Sequence, residues 1–65
     1  MEKQKLYEIL DKEYKEARAD KAELISKMRK AGNDEATVRI LLEQIEYLDG
    51  YEDALIFAIR QLGYQ

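Results

Sequence analysis

Apolar residues recur along the first half of the chain at alternating steps of three and four. The series is Tyr7, Leu10, Tyr14, Ala17, Leu24, Met28 and Ala31, with Lys21 as its one polar member and Leu6, Ile9 and Ile25 broadening it. A stripe with that period lies along one face of an α-helix. The second half repeats the device with Val38, Leu41, Ile45, Leu48, Leu55, Ile59 and Leu62, interrupted only at Glu52. Between the two stripes, Arg29 and Lys30 put positive charge where a helix C-terminus favours it, and Gly32 suits a left-handed residue just past the last turn. Asn33 or Asp34, followed by acidic Glu35, marks a new helix start. The pattern predicts helix 1 over about residues 3–31, a turn at 32–33 and helix 2 over about residues 34–62. Two helices of equal length and a short connection make an antiparallel hairpin. The expected fold class is therefore all-α: one antiparallel two-helix hairpin domain over residues 1–65, dimerising into a four-helix bundle.

One dipeptide interrupts this reading. Asp49-Gly50 is a common turn signal, yet Leu48 and Leu55 are one heptad apart, so the apolar stripe crosses the pair without slipping phase. A turn would have no reason to preserve that register, and helix interior is the expectation. Glycine there costs roughly 1 kcal/mol relative to alanine, which close approach of another helix backbone would explain. A break at Gly50 giving three helices is the rival reading.

Size then changes the picture. The chain has 65 residues, 38% of them charged, with no Pro, Cys, His or Trp. A domain this small buries only about 60% of the surface its unfolded chain exposes, and without disulfides or metals such domains often gain stability by associating. The longest apolar run, Ala54 to Ile59, is far short of the ~20 residues needed to span a bilayer. A soluble, cytoplasmic protein without membrane contact is expected. The net charge of −3 conceals an asymmetry, since residues 1–31 hold nine Lys/Arg against seven Asp/Glu and residues 32–65 hold two against seven. Complementary halves suit two helices lying side by side, and they differ from the strongly basic footprint of a general nucleic-acid binder.

Candidate chemistry is sparse. With no His or Cys, and Ser26 and Thr37 as the only hydroxyl residues besides tyrosine, the usual nucleophile and base pairs cannot form, nor can zinc sites of the usual ligand types. The glycines at 32, 50 and 63 are isolated, so no phosphate-cradling loop is present. Glu13, Asp20 and Glu52 fall toward the apolar faces with Gln44 nearby, and such carboxylates could hold a divalent metal in a bundle. The Glu-x-x-His pairs of di-iron bundles are missing, however, and polar layers or salt bridges with Lys21 that set register are the expected use. The five tyrosines sit on or beside the apolar faces, where a ring can be buried and its hydroxyl kept wet. Lys5, Lys12, Lys15, Arg18, Lys27 and Lys30 are interspersed with acids four residues away, as on a solvated, ion-paired face.

The segment AGNDEATVRILLEQIEYLD resembles loosely the short helical-hairpin aspartyl-phosphate phosphatases, whose second helix carries a Ser-Gln-Glu-Leu-Asp signature. Aligned on Gly32 and Val38, this sequence places Leu42, Glu43, Gln44, Ile45 and Glu46 there. The family's Ser, Gln and Asp are not reproduced, and no functional residue is carried over.

The expected function is that of a small non-enzymatic regulator or adaptor, binding an unidentified protein partner as a homodimeric helical bundle. Alternatives are an RNA-binding hairpin dimer using the basic residues of helix 1, with nucleic acid the less expected partner, and a carboxylate metal-binding bundle. No catalytic residue, cofactor or metal ligand is assigned. On a helical wheel the apolar positions of helix 2 sweep roughly 200° at 3.6 residues per turn, more than one neighbouring helix covers. The expected dimer interface is Tyr47, Tyr51, Ala54, Leu55, Ile56, Ala58, Ile59 and Leu62, with Leu55 and Ile56 near its centre. Leu42, Phe57 and Tyr64 point away from that seam and are the candidate partner contacts.

Overall fold

The computed structural model of the chain describes residues 2–63. It consists of two helices, α1 (Lys3–Ala31) and α2 (Glu35–Gln61), packed side by side as a hairpin. The helix boundaries follow from local chemistry. Arg29 and Lys30 occupy the last turn of α1, and Gly32 adopts a positive φ of 62°, a conformation that costs glycine little. Of the two cap candidates it is Asp34 that opens α2. Its carboxylate accepts from the Thr37 amide at 3.3 Å and from the Thr37 hydroxyl at 2.8 Å, satisfying a donor that the first turn would leave orphaned. These two hydrogen bonds hold the Asp34 carboxyl below the usual carboxylate range.

α2 runs unbroken through Asp49-Gly50, as the conserved phase of its apolar stripe predicts. The proposed reason for a glycine there does not hold within the hairpin: a Cβ built on Gly50 would meet nothing within 4 Å, so α1 makes no close approach to it. Gly50→Ala is accordingly expected to stabilise the helix by up to about 1 kcal/mol, read as a higher urea midpoint with unchanged slope. A lower midpoint would show that another helix backbone approaches Gly50.

The core is thin. Among the described residues, Ala17 on α1 and Ile45 and Leu55 on α2 are the buried apolar ones, and Glu52 is buried with them. Leu6, Leu10, Leu24, Met28, Leu41, Leu48 and Ile59 flank this line half-buried. The molecule is a rod of 48 × 18 × 14 Å with a radius of gyration of 14.8 Å, whereas a compact domain of this length has one of about 11 Å. No described helix is long and apolar enough to cross a membrane.

Candidate interaction surface

Each apolar stripe has one polar interruption, and the hairpin brings the two interruptions together. Lys21 of α1 sits 2.9 Å from both carboxylate oxygens of Glu52 on α2, hydrogen-bonded through Oε1. The same ammonium reaches the Asp49 carboxylate at 2.7 Å. Glu52 Oε2 is fully buried and accepts no directed hydrogen bond among the described residues, having only the neighbouring positive charge. The hydrogen bonds to Asp49 and then Glu52 raise the Lys21 pKa above its ordinary value. A second tether lies toward the open end, where the Tyr51 hydroxyl donates to Glu13 at 3.0 Å. That bond, with burial second, raises the Tyr51 pKa. Lys21 and Glu52 thus form the polar layer expected of them. A shift of one heptad would set Lys21 against an isoleucine and Glu52 against Tyr14 or Met28, so this pair specifies one register.

Glu13, Asp20 and Glu52 do not converge on a common point. Glu13 is engaged by Tyr51 and Glu52 by Lys21, and no group of three or more potential metal ligands forms among the described residues. The basic residues of α1 named above are exposed, with Lys15 paired to Asp11 at 2.9 Å and Lys27 to Glu23 at 3.9 Å. Arg18 lies over the Tyr14 ring, 5.8 Å from its centre, so one of the basic groups is directed along the hairpin's own surface.

Because both helical tethers ionise at high pH, the hairpin has a defined alkaline weakness. A folded-state pKa raised above the unfolded value contributes stability that is fully present below the unfolded pKa and is lost as pH rises through the folded one. For Tyr51 and Lys21 the ordinary values are 10.0 and 10.5. Helicity is therefore expected to hold to about pH 10 and to fall above it. Ultraviolet titration, with Tyr51→Phe as the difference reference, should place the Tyr51 ionisation above its ordinary 10.0, and Glu13→Ala should lower it. A Tyr51 ionisation unmoved by Glu13→Ala would contradict the Tyr51 assignment. Asp34 has the opposite sign, with its capping contribution present above the ordinary carboxylate pKa and lost as pH falls through the depressed folded value.

Away from the tethers, the hairpin leaves large apolar side chains uncovered. Tyr47 is 73% exposed, Phe57 64%, Ile40 58%, Ile9 46% and Leu42 44%. Of the residues expected at a dimer seam, Tyr47, Tyr51 and Ala54 are exposed, and Ile56, Ala58, Ile59 and Leu62 are half-buried. Leu55, expected near the centre of that seam, is buried within the single hairpin at 6% exposure. A wheel for α2 alone cannot show which edge of its broad stripe α1 covers; the position of Lys21 beside Glu52 supplies that information. Of the expected partner contacts, Leu42 and Phe57 are exposed, while Tyr64 lies outside the described residues.

The surface area makes the same point in aggregate. The chain exposes 5173 Å², whereas a compact monomer of its 7.7 kDa mass exposes about 4300 Å². The surplus is comparable with the ~800 Å² that each partner buries in a standard protein interface. No known family model, curated protein or solved structure matches this sequence.

Proposed function

We propose that this chain is a non-enzymatic, cytoplasmic adaptor that works as a homodimeric four-helix bundle and binds another protein. The observation that carries the reading is the uncovered apolar surface: among the described residues, six large apolar side chains are exposed and three apolar residues are buried. Single exposed apolar residues are ordinary, but this many large ones on so small a helical rod, with Ile40, Tyr47 and Tyr51 at helical spacing on α2, support an interaction surface. Tyr47, Tyr51, Ala54 and Ala58 share one edge of α2, with Leu62 beside them, and a second copy there would cover the surface that α1 leaves open. Burying a large apolar side chain stabilises by ~1.5 to 3 kcal/mol before entropic costs. Several such residues are enough to decide between a folded dimer and a marginal monomer.

Leu42 and Phe57 point away from that seam, are exposed, and are the contacts offered to a different protein. Phe57→Ser tests this division of labour. Light scattering on a sizing column should give twice the chain mass for both wild type and variant at micromolar concentration, with equal helicity. A variant that elutes as a monomer would place Phe57 in the self-contact and remove it as a partner anchor.

A further inference from the structure

The turn-proximal half of the hairpin carries a groove of ≈ 530 Å³ between α1 and α2 that meets the expected dimer seam only at Tyr47. Leu24, Leu48 and the 58% exposed Ile40 supply its apolar floor and wall, and Tyr47 stands at its open-end margin. Asp20 and Glu23 on α1 and Glu43 on α2 stand around it, with Lys27 the one cation among the described residues that line it. That lysine is 3.9 Å from Glu23, which leaves Asp20 and Glu43 with no ion pair among the described residues. The acidic edge continues along α1 through Glu16 to Glu13, both close enough to Tyr51 to act on its hydroxyl. From Glu13 to Glu23 is ~15 Å at 1.5 Å per residue, the length of nearly three helical turns.

We infer that this groove is a docking site for a basic amphipathic helix of a partner protein, with apolar side chains set between α1 and α2 and Lys or Arg residues facing the carboxylates. A trough between two antiparallel helices accepts a third helix by helix-in-groove packing, and apolar residues at steps of three and four reach its floor. The charge selects the sequence of that helix. Ionised carboxylates attract Lys and Arg, raise the rate of encounter and disfavour acidic partners, phosphate backbones and anionic membrane surfaces. A second copy of this chain is a poorer occupant, because its apolar helix edges are themselves lined by carboxylates such as Asp20, Glu23 and Glu43. The inference rests on the adaptor reading and names the chemistry of its partner, but the groove lies on residues 20–27 and 40–48, so it does not require the dimer.

The test uses the full chain and a fluorescent synthetic amphipathic peptide of about five turns, ~18 residues at 3.6 per turn, with leucine at helical spacing and lysine elsewhere. A counterpart with glutamate in place of lysine is the charge control. The lysine peptide is expected to bind at least about tenfold more tightly than the glutamate peptide, equivalent to ~1.4 kcal/mol, and to weaken with added salt as the carboxylates are screened. Ile40→Ser keeps every charge and should weaken the lysine peptide about fivefold or more; the Asp20→Asn, Glu43→Gln pair should reduce its advantage over the glutamate peptide. Equal affinity for both peptides, or binding untouched by Ile40→Ser, overturns the proposal. Sedimentation of the same samples separates it from the dimer: peptide binding by a monomer sinks the homodimer and leaves the groove standing. A change in oligomeric state caused by Ile40→Ser shows the groove filled by a second copy and sinks the groove.

Discussion

Lys21→Met is expected to lower the thermal midpoint of the protein more than any other single change on its surface. Lys21 is the one cation paired with the buried Glu52 carboxylate among the described residues, and its side chain is 25% exposed. Removing it leaves a buried carboxylate with no counter-charge, and one buried polar group left unsatisfied costs about 1 to 3 kcal/mol, more for a charged one. In a domain of this size each kcal/mol corresponds to roughly 4 to 8 °C. Glu52→Leu should have the opposite character. It removes the buried charge, and Lys21 keeps its partner at Asp49, so stability is expected to be equal to or greater than wild type. The double variant should recover most of what Lys21→Met loses, and the cycle of four proteins measures the coupling directly. Effects of the two changes that simply add in the double variant would show that the pair is not a unit. The gain in Glu52→Leu carries a specificity cost under this scheme. With both stripes continuous, hairpins displaced by a heptad come closer in energy, which should appear as broadened amide resonances despite a higher midpoint.

The second large effect concerns Ala54. Its side chain is exposed on the hairpin, so substitution costs little within one chain, and glutamate is a good helix former. At a seam between two copies of α2, Ala54→Glu adds like charges to an already acidic helix. The dimer dissociation constant is expected to rise about 100-fold or more, equivalent to ~2.7 kcal/mol. Helicity should then depend on concentration, falling on dilution of the variant at concentrations where wild type remains folded. Unchanged mass and midpoint in Ala54→Glu would remove α2's open edge from the self-contact.

Much of this architecture was legible in the sequence because it rests on short-range regularities. The three-four spacing marked both helices, and Gly32 with Asn33 or Asp34 marked the turn between them. The heptad from Leu48 to Leu55 showed that Asp49-Gly50 lies inside a helix, overriding a dipeptide that locally favours a turn. Lys21 and Glu52 stood out as the polar breaks in their stripes. Their meeting was not readable, because it depends on hairpin register, which the turn and the packing of both helices set together. Asp49 as the second partner of Lys21 was hidden by its role in the Asp-Gly signal. Leu55 was placed on the outer surface because a wheel treats a 200° apolar sweep as uniform, although α1 buries Leu55 itself. The turn-proximal groove was invisible for a similar reason. Ile40 and Glu43 come from one helix and Asp20 and Leu24 from the other, and only the packed pair makes a trough of them.

The central claim is that the apolar surface left open by the hairpin is covered by a second copy. Sedimentation equilibrium of the wild-type chain through the micromolar range tests it most directly, with circular dichroism recorded on the same samples. A homodimer gives twice the 7.7 kDa chain mass with full helicity, and dilution should lower mass and helicity together. A species of one chain mass that stays fully helical across that range would contradict the claim.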